Sequence, residues 1–343
     1  MNTPSFSSAL RTGFTLAAAV AALLLAACGK TETPAASNAP APGGKKVNLV
    51  YITKGQTDVF WLSVKAGLRQ AETEAKAKGQ NLVVTWDAPL KDGDPASEIS
   101  LMENYLGQKP DGIILCPVDF KALVTPVEKA VNAGIPLIIA DSGLDSKLPF
   151  AFVGTDNYKG GQTAGEELAR LLGGKGNVIV LRYLQGAASC TQREEGVLDV
   201  LKKYPGIKIL SSDNYAGATR DLAFDKSLNL LNTYTGQVDG VFTANEGSTN
   251  GMLLALQKAG LTGKVKFIGF DGGTANMEGL KAGQINGLIL QNPYMMGYLG
   301  VNTMLDHLAG KTVPDNVDTG STLVTKENLD SGPVKELLSH TVQ

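Results

Sequence analysis

The sequence predicts an α/β protein of two lobes, each a parallel sheet wrapped by helices. Three observations carry this. From Val47 onward, short β-rich runs alternate with amphipathic helical runs. The alternation comes in two successive sets, which fits the two ordinary domains that 343 residues allow. Polar residues gather at one place in the pattern, directly after strands. Repeated strand–helix units imply parallel pairing with helices on both faces and right-handed crossovers.

The first set reads as strand Val47–Thr53, helix Phe60–Lys78, strand Asn81–Trp86, helix Pro95–Leu106, strand Asp111–Cys116, helix Ala122–Ala133 and strand Pro136–Ala140. The second reads as helix Tyr158–Leu172, strand Asn177–Arg182, helix Gln192–Lys203, strand Ile207–Ser211, helix Arg220–Tyr234, strand Val238–Thr243 and helix Ser248–Ala259. It continues with strand Val265–Phe270, helix Thr274–Ala282, strand Gly287–Gln291 and helix Met295–Leu308. Gly260 and Gly310 stand where helices should stop.

The N-terminus reads as processing signal rather than fold. Arg11 precedes an apolar run, Phe14–Ala27, that matches the hydrophobic region of a secretory signal. The run ends Leu25-Ala26-Ala27-Cys28, which looks like a bacterial lipobox, so residues 1–27 are expected to be removed and Cys28 lipidated. Residues 28–46, rich in Ala, Pro, Thr and Gly, fit a mobile tether. Cys116 and Cys190 are expected to be buried, unpaired thiols, and His307 a surface residue of a C-terminal helix. A net charge of −2 with no basic arm gives no reason to expect a nucleic-acid partner.

The polar stops are Asp58, Asp119, Asp141-Ser142, Asn245-Glu246, Asp271 and Gln291-Asn292. One Asp after a strand is a turn residue; six such stops on strands of both sets indicate a lined cleft. Asp, Asn and Gln with Arg193 form a set that donates and accepts in planar forks, which suits vicinal hydroxyls. Phe60 and Trp61 open the first helix. The pattern leaves open whether they pack in a core or offer a flat face to a sugar ring.

The chain resembles the periplasmic sugar-binding proteins of the ribose-binding type. The matching stretches include Phe60–Gly67, Ile135–Asp141, Thr155–Gly161, Arg193–Gly196, Thr243–Glu246, Gly269–Gly272 and Leu290–Pro293. The resemblance implies two Rossmann-like, doubly wound lobes, residues 47–154 plus 292–318 and 155–291 plus 319–343, joined by three crossings near Thr155, Gln291 and Asp318. It implies stacking by Phe60, Trp61 and Phe270, and hydroxyl contacts by Asp58, Asp141, Arg193, Asn245, Asp271 and Gln291. It also implies a monomer without cofactor or metal that closes on a monosaccharide and serves an ABC permease and ATPase. Such a protein works in the periplasm or at the cell surface, here tethered to the membrane through Cys28.

Two departures stand out. Pentose binders of this type usually carry Arg after the aspartate that ends the fourth strand, where this chain has Ser142. The aromatic expected before the Arg220 helix is replaced by Gly217-Ala218, with Tyr215 nearby as a substitute. These put ribose itself in doubt and leave a hexose, a cyclitol or another polyol open. An enzyme is disfavoured, since no phosphate-binding glycine loop follows a strand. Asp141 and Asp271 could serve a glycosidase, but a site that also holds Arg, Asn and Gln is better suited to binding. A ligand-presenting role for a membrane sensor or chemoreceptor is the alternative to transport.

Overall fold

The computed structural model describes residues 45–91 and 93–340. The expected signal peptide, lipidated Cys28 and most of the tether lie outside the described residues. Among those residues, no helix is long and apolar enough to cross a membrane.

In chain order the elements are β1 Val47–Ile52, α1 Val59–Ala77, β2 Leu82–Asp87, α2 Pro95–Gln108, β3 Gly112–Leu115, α3 Val124–Asn132, β4 Leu137–Ala140 and β5 Ala151–Gly154. Then come α4 Asn157–Leu171, β6 Lys175–Leu181, α5 Ala188–Leu201, β7 Gly206–Ser211, α6 Arg220–Thr233, β8 Gly240–Thr243, α7 Glu246–Lys258 and β9 Lys266–Phe270. The chain ends with α8 Thr274–Lys281, β10 Gly287–Gln291, α9 Pro293–Leu308, β11 Asn316–Asp318, β12 Ser321–Val324 and α10 Gly332–Ser339.

The strands form two six-stranded sheets. One runs β2-β1-β3-β4-β5-β11 and the other β7-β6-β8-β9-β10-β12, so the same order is built twice. All pairs are parallel except β10 with β12. The central strands β3, β4, β8 and β10 are buried along their whole length. That follows from helices covering both faces of each sheet, and it explains why these strands read as continuous apolar runs. Two apolar clusters flank each sheet.

The chain passes between the sheets three times: from β5 to α4, from β10 to α9, and from β11 to β12. These segments are tied together. Thr319 N donates to Gly154 O at 2.9 Å, Asp156 N to Asp318 Oδ1 at 3.3 Å, and Gln291 pairs with Ser321.

β5, β11, β12 and α10 do not stand out in the sequence. The strands are three or four residues long, too short to show a period. Cys116 and Cys190 are buried and free, as expected. His307 is a correction: it is half-buried, its ring stacked 3.8 Å from Phe150.

Glycines place one functional helix. A Cβ at Gly161 in α4 would collide with the Arg193 carbonyl, and one at Gly196 in α5 with that of Tyr158. Glycine at both positions lets α4 and α5 approach backbone to backbone, which fixes the height of Arg193.

Candidate ligand-binding site

Both sheets direct the carboxyl ends of their strands at one cavity of about 50 Å³. In open α/β sheets this is where ligands bind, near the point where strand order reverses. The first half contributes Lys54 after β1, Asp58, Phe60 and Trp61 at the start of α1, and Asp141 after β4. The second contributes Tyr183 after β6, Arg193 from α5, Asn245 after β8, Asp271 after β9 and Gln291 at the end of β10.

The backbone singles out two of these residues. Among the described residues, Lys109, Asp141 and Asp271 have positive φ without being glycine. Asp141 (φ 60°) and Asp271 (φ 66°) occupy equivalent places in the two sheets. Each amide bonds the neighbouring strand, Asp141 N to Val153 O and Asp271 N to Ile289 O, both at 3.0 Å. Left-handed backbone costs an L-residue energy and persists where its surroundings over-determine it, most often at functional sites.

Each aspartate has a cation. Lys54 Nζ lies 2.7 Å from Asp141 Oδ2. Burial pulls the Lys54 ammonium down, but the Asp141 carboxylate outweighs it and its pKa is raised. Asp271 accepts from Gln291 Nε2 at 2.7 Å and Glu246 N at 3.1 Å, with Arg193 Nη1 at 3.9 Å. Burial lifts the Asp271 carboxyl above its usual range, against the pull of Arg193 and Gln291. Arg193 is held by Asn157 Oδ1 and Ala244 O, both at 2.9 Å, and its guanidinium lies 4.4 Å from the Phe270 ring centre.

Of the residues singled out in the sequence, Asp58, Phe60, Trp61, Asp141, Arg193, Asn245, Asp271 and Gln291 line this cavity together. Trp61 and Phe60 meet edge to face at 4.8 Å, and both also pack on the core of the first sheet. The two readings of this pair are therefore compatible. Asn245 caps α7 while lining the cavity: its Oδ1 accepts from Ser248 N, and α7 begins at Glu246 rather than Ser248.

Ser142 and Phe270 do not line the cavity. Phe270, the last residue of β9, packs in the core of the second sheet, and Ser142, beyond β4, turns to the seam with α5. Phe270 is fully buried beneath Arg193, so its expected stacking face is taken by the guanidinium. Ser142 is fully buried and its Oγ accepts from Ser189 N at 3.1 Å, joining the two halves. Tyr215 does not substitute for the missing aromatic; it stands against Arg182, outside the cavity.

Lys54, Tyr183 and Ser189 are additions. Lys54 follows its strand by two residues, and no signal separates it from a surface lysine. Ser189 enters because α5 begins at Ala188, four residues earlier than the pattern indicates. Tyr183 is set by Glu194, whose Oε1 accepts from the Tyr183 amide at 2.8 Å; burial pushes the Glu194 carboxyl up to about 7. Asn157 does more than stand beside a helix cap. It ties Arg193 to the Asp141 carbonyl, which it reaches at 3.4 Å.

A family model described as a periplasmic binding protein domain matches residues 49–312, well over half of the chain. The chain belongs to the periplasmic binding protein family. Its relatives include a xylitol-binding protein of Mycolicibacterium smegmatis, 30% identical over 319 residues and covering 93% of this chain and 86% of that protein. The D-allose-binding periplasmic protein of Escherichia coli is 30% identical over 272 residues, covering 77% and 85%. A carbohydrate transporter solute-binding protein from Agrobacterium radiobacter, solved with D-arabinose, superposes with a TM-score of 0.78 at 36% identity. It covers 85% of this chain and 98% of its own. The family is one of solute-binding proteins, not enzymes. A periplasmic binding protein needs a cleft shared by two halves, and this chain has one.

Proposed function

We propose that this protein captures a monosaccharide or a related polyol in the cleft, closes over it, and delivers it to an ABC importer. One observation carries the reading: two buried aspartates with positive φ face one cavity from equivalent strand ends of two sheets, each beside a cation. Asp141 and Asp271 each face a cation, and Asp58 and Glu246 add carboxylates to the lining, so an anionic ligand is disfavoured and a neutral one suits the site. Carboxylates, amides and cations together offer both acceptors and donors, which is what hydroxyls require. Relatives named for xylitol and D-allose, and a neighbour solved with D-arabinose, support pentoses, hexoses and polyols as the class to test.

The direct contacts in this reading are Asp58, Phe60, Trp61, Asp141, Arg193, Asn245, Asp271 and Gln291, with Lys54 and Tyr183 added. Ser142 acts at the closing seam and Phe270 as the platform under Arg193. The lobes comprise residues 47–154 plus 292–318 and 155–291 plus 319–343, a division that sheet membership supports. The protein acts outside the cytoplasm as a lipoprotein anchored at Cys28; metabolic palmitate labelling that survives Cys28→Ala would remove the anchor from this reading.

A thermal-shift screen against pentoses, hexoses, polyols and cyclitols tests the ligand class. Ligand at one hundred times its Kd stabilises the folded state by about 2.7 kcal/mol, so a true ligand raises Tm by several degrees. The reading fails if no sugar or polyol shifts Tm.

A further inference from the structure

A second pocket opens at the mouth of the cleft. It measures about 460 Å³, against about 50 Å³ for the inner cavity, and the two share Asp58 and Glu246 in their walls. A ligand seated on the inner aspartates can therefore extend into the outer pocket past these two side chains.

The outer pocket is built from helix starts. α6 begins there at Arg220, α7 at Glu246 and α8 at Thr274, with α1 opposite at Val59. The first N–H groups of a helix lack partners within it; Thr219 and Asn245 cap α6 and α7, whereas α8 has glycine at its cap with no side-chain bond to its first turn. An independent feature points to a ligand. Asn276 lines the pocket and is fully buried, yet its Oδ1 has no hydrogen-bond partner. Its Nδ2 reaches Glu246 O at 3.3 Å and Asp271 O at 3.5 Å, which links the outer pocket to the inner aspartate. A buried acceptor without a donor is costly, and a ligand hydroxyl would supply one.

The charges select the ligand chemistry. Asp58, Asp221 and Glu246 line the pocket against Arg220 alone among basic residues, and Arg220 is paired with Asp221 at 2.9 Å. Three carboxylates disfavour a phosphate at these helix starts. Hydroxyls suit both sets of groups, because each donates to a carboxylate and accepts from an N–H. Gly247 and Ala275 keep the volume unfilled, and glycine at 273 leaves room for the Glu246 carboxylate.

We propose that the outer pocket is a second subsite, which lets the cleft take a glycoside or short oligosaccharide whose first unit, the sugar or polyol of the inner site, occupies the inner cavity. This rests on the reading of the inner cavity as a sugar site.

The test is calorimetric titration of the full mature chain with matched pairs: D-xylose and xylobiose, D-arabinose and arabinobiose, D-galactose and melibiose, myo-inositol and galactinol. In at least one pair the larger member should bind tenfold or more tightly. Ala275→Trp, at an exposed position in the first turn of α8, should erase that advantage and leave the smaller member within twofold. Asn250→Leu, on the α7 wall, should reduce the advantage without filling the pocket. If the smaller members bind and every larger one binds equally or more weakly, the second subsite is overturned while the sugar reading stands. If the larger member binds tightly and Ala275→Trp leaves its advantage intact, the extra unit lies elsewhere and the subsite is again overturned. Absence of binding across all pairs overturns both.

Discussion

Asp141 follows β4 and Asp271 follows β9. They share a positive φ and an amide bonded to the next strand, yet their carboxylates are supported differently. On the first wall, Asp141 meets a buried lysine at 2.7 Å, and that contact dominates its surroundings. On the second wall, Asp271 is held by Gln291 and the Glu246 amide, while Arg193 is held by Asn157, Ala244 O and the Phe270 ring. The two charges there stand 3.9 Å apart because each is tied to something else. The second wall is thus a preset template, whereas the first rests on one buried ion pair. Substitutions on the first wall should cost stability, and those on the second should cost affinity.

The largest effect is expected from Asp141→Asn. It keeps the size and the tolerance for left-handed backbone but leaves Lys54, 9% exposed, without its counter-charge. Breaking a buried pair from one side costs about 3–5 kcal/mol. A denaturant titration should show that loss, and adding Lys54→Met should recover much of it. A single variant as stable as the parent would contradict the first-wall account.

Asp271→Asn should behave in the opposite way. Charge-assisted bonds are worth about 1.5–3 kcal/mol each, so losing one to a ligand hydroxyl should weaken binding at least tenfold. Folding should suffer less than in Asp141→Asn, because Arg193, although only 3% exposed, keeps Asn157, Ala244 O and the Phe270 ring as partners. The native pKa of Asp271 lies above its ordinary value, so the native state holds the proton more tightly and stability falls as pH rises beyond the unfolded pKa. A neutral side chain removes that cost at pH 7. Titration calorimetry and a melting curve on the same sample separate the two walls; equal losses of stability in both variants would erase the distinction.

Each wall is only partly legible in the sequence, which hides Lys54 on the first and Tyr183 and Ser189 on the second. Asn245, Asp271 and Gln291, like Asp141 on the first wall, stand out because a polar residue at the end of a buried apolar run breaks the pattern, whereas Arg193 lies inside helix α5. The first wall is partly hidden, since Lys54 lies two residues beyond β1 in a segment that reads as any surface loop. Ser142 and Phe270 mislead through adjacency: proximity along the chain places them near the site, while Ser142 is taken up by the Ser189 amide and Phe270 by the core beneath Arg193. The sheets are legible through their central strands. The edge strands β11 and β12 are set by pairing partners distant in sequence, which no local period reports, and β5 is too short to show one.

The smallest effect concerns a carboxyl behind the first wall. Glu98 is fully buried; its Oε2 accepts from Val118 N at 2.8 Å, and its Oε1 has no partner. Burial pushes its pKa up to about 8, with Asp141 raising it and Lys54 lowering it. The folded value lies above the ordinary 4.5, so the native state keeps a proton that the unfolded chain has lost. Stability from this group is therefore complete below about pH 4.5 and is lost as pH rises toward about 8. The slope is about 1.4 kcal/mol per pH unit inside that window. Glu98→Gln keeps an acceptor for Val118 N and removes the titration, so its stability relative to the parent should grow by about 1.4 kcal/mol between pH 6 and pH 7. Chemical denaturation at the two pH values measures the difference. A constant offset would mean that Glu98 is ionised in the folded protein and that the first wall carries a second negative charge beside Asp141.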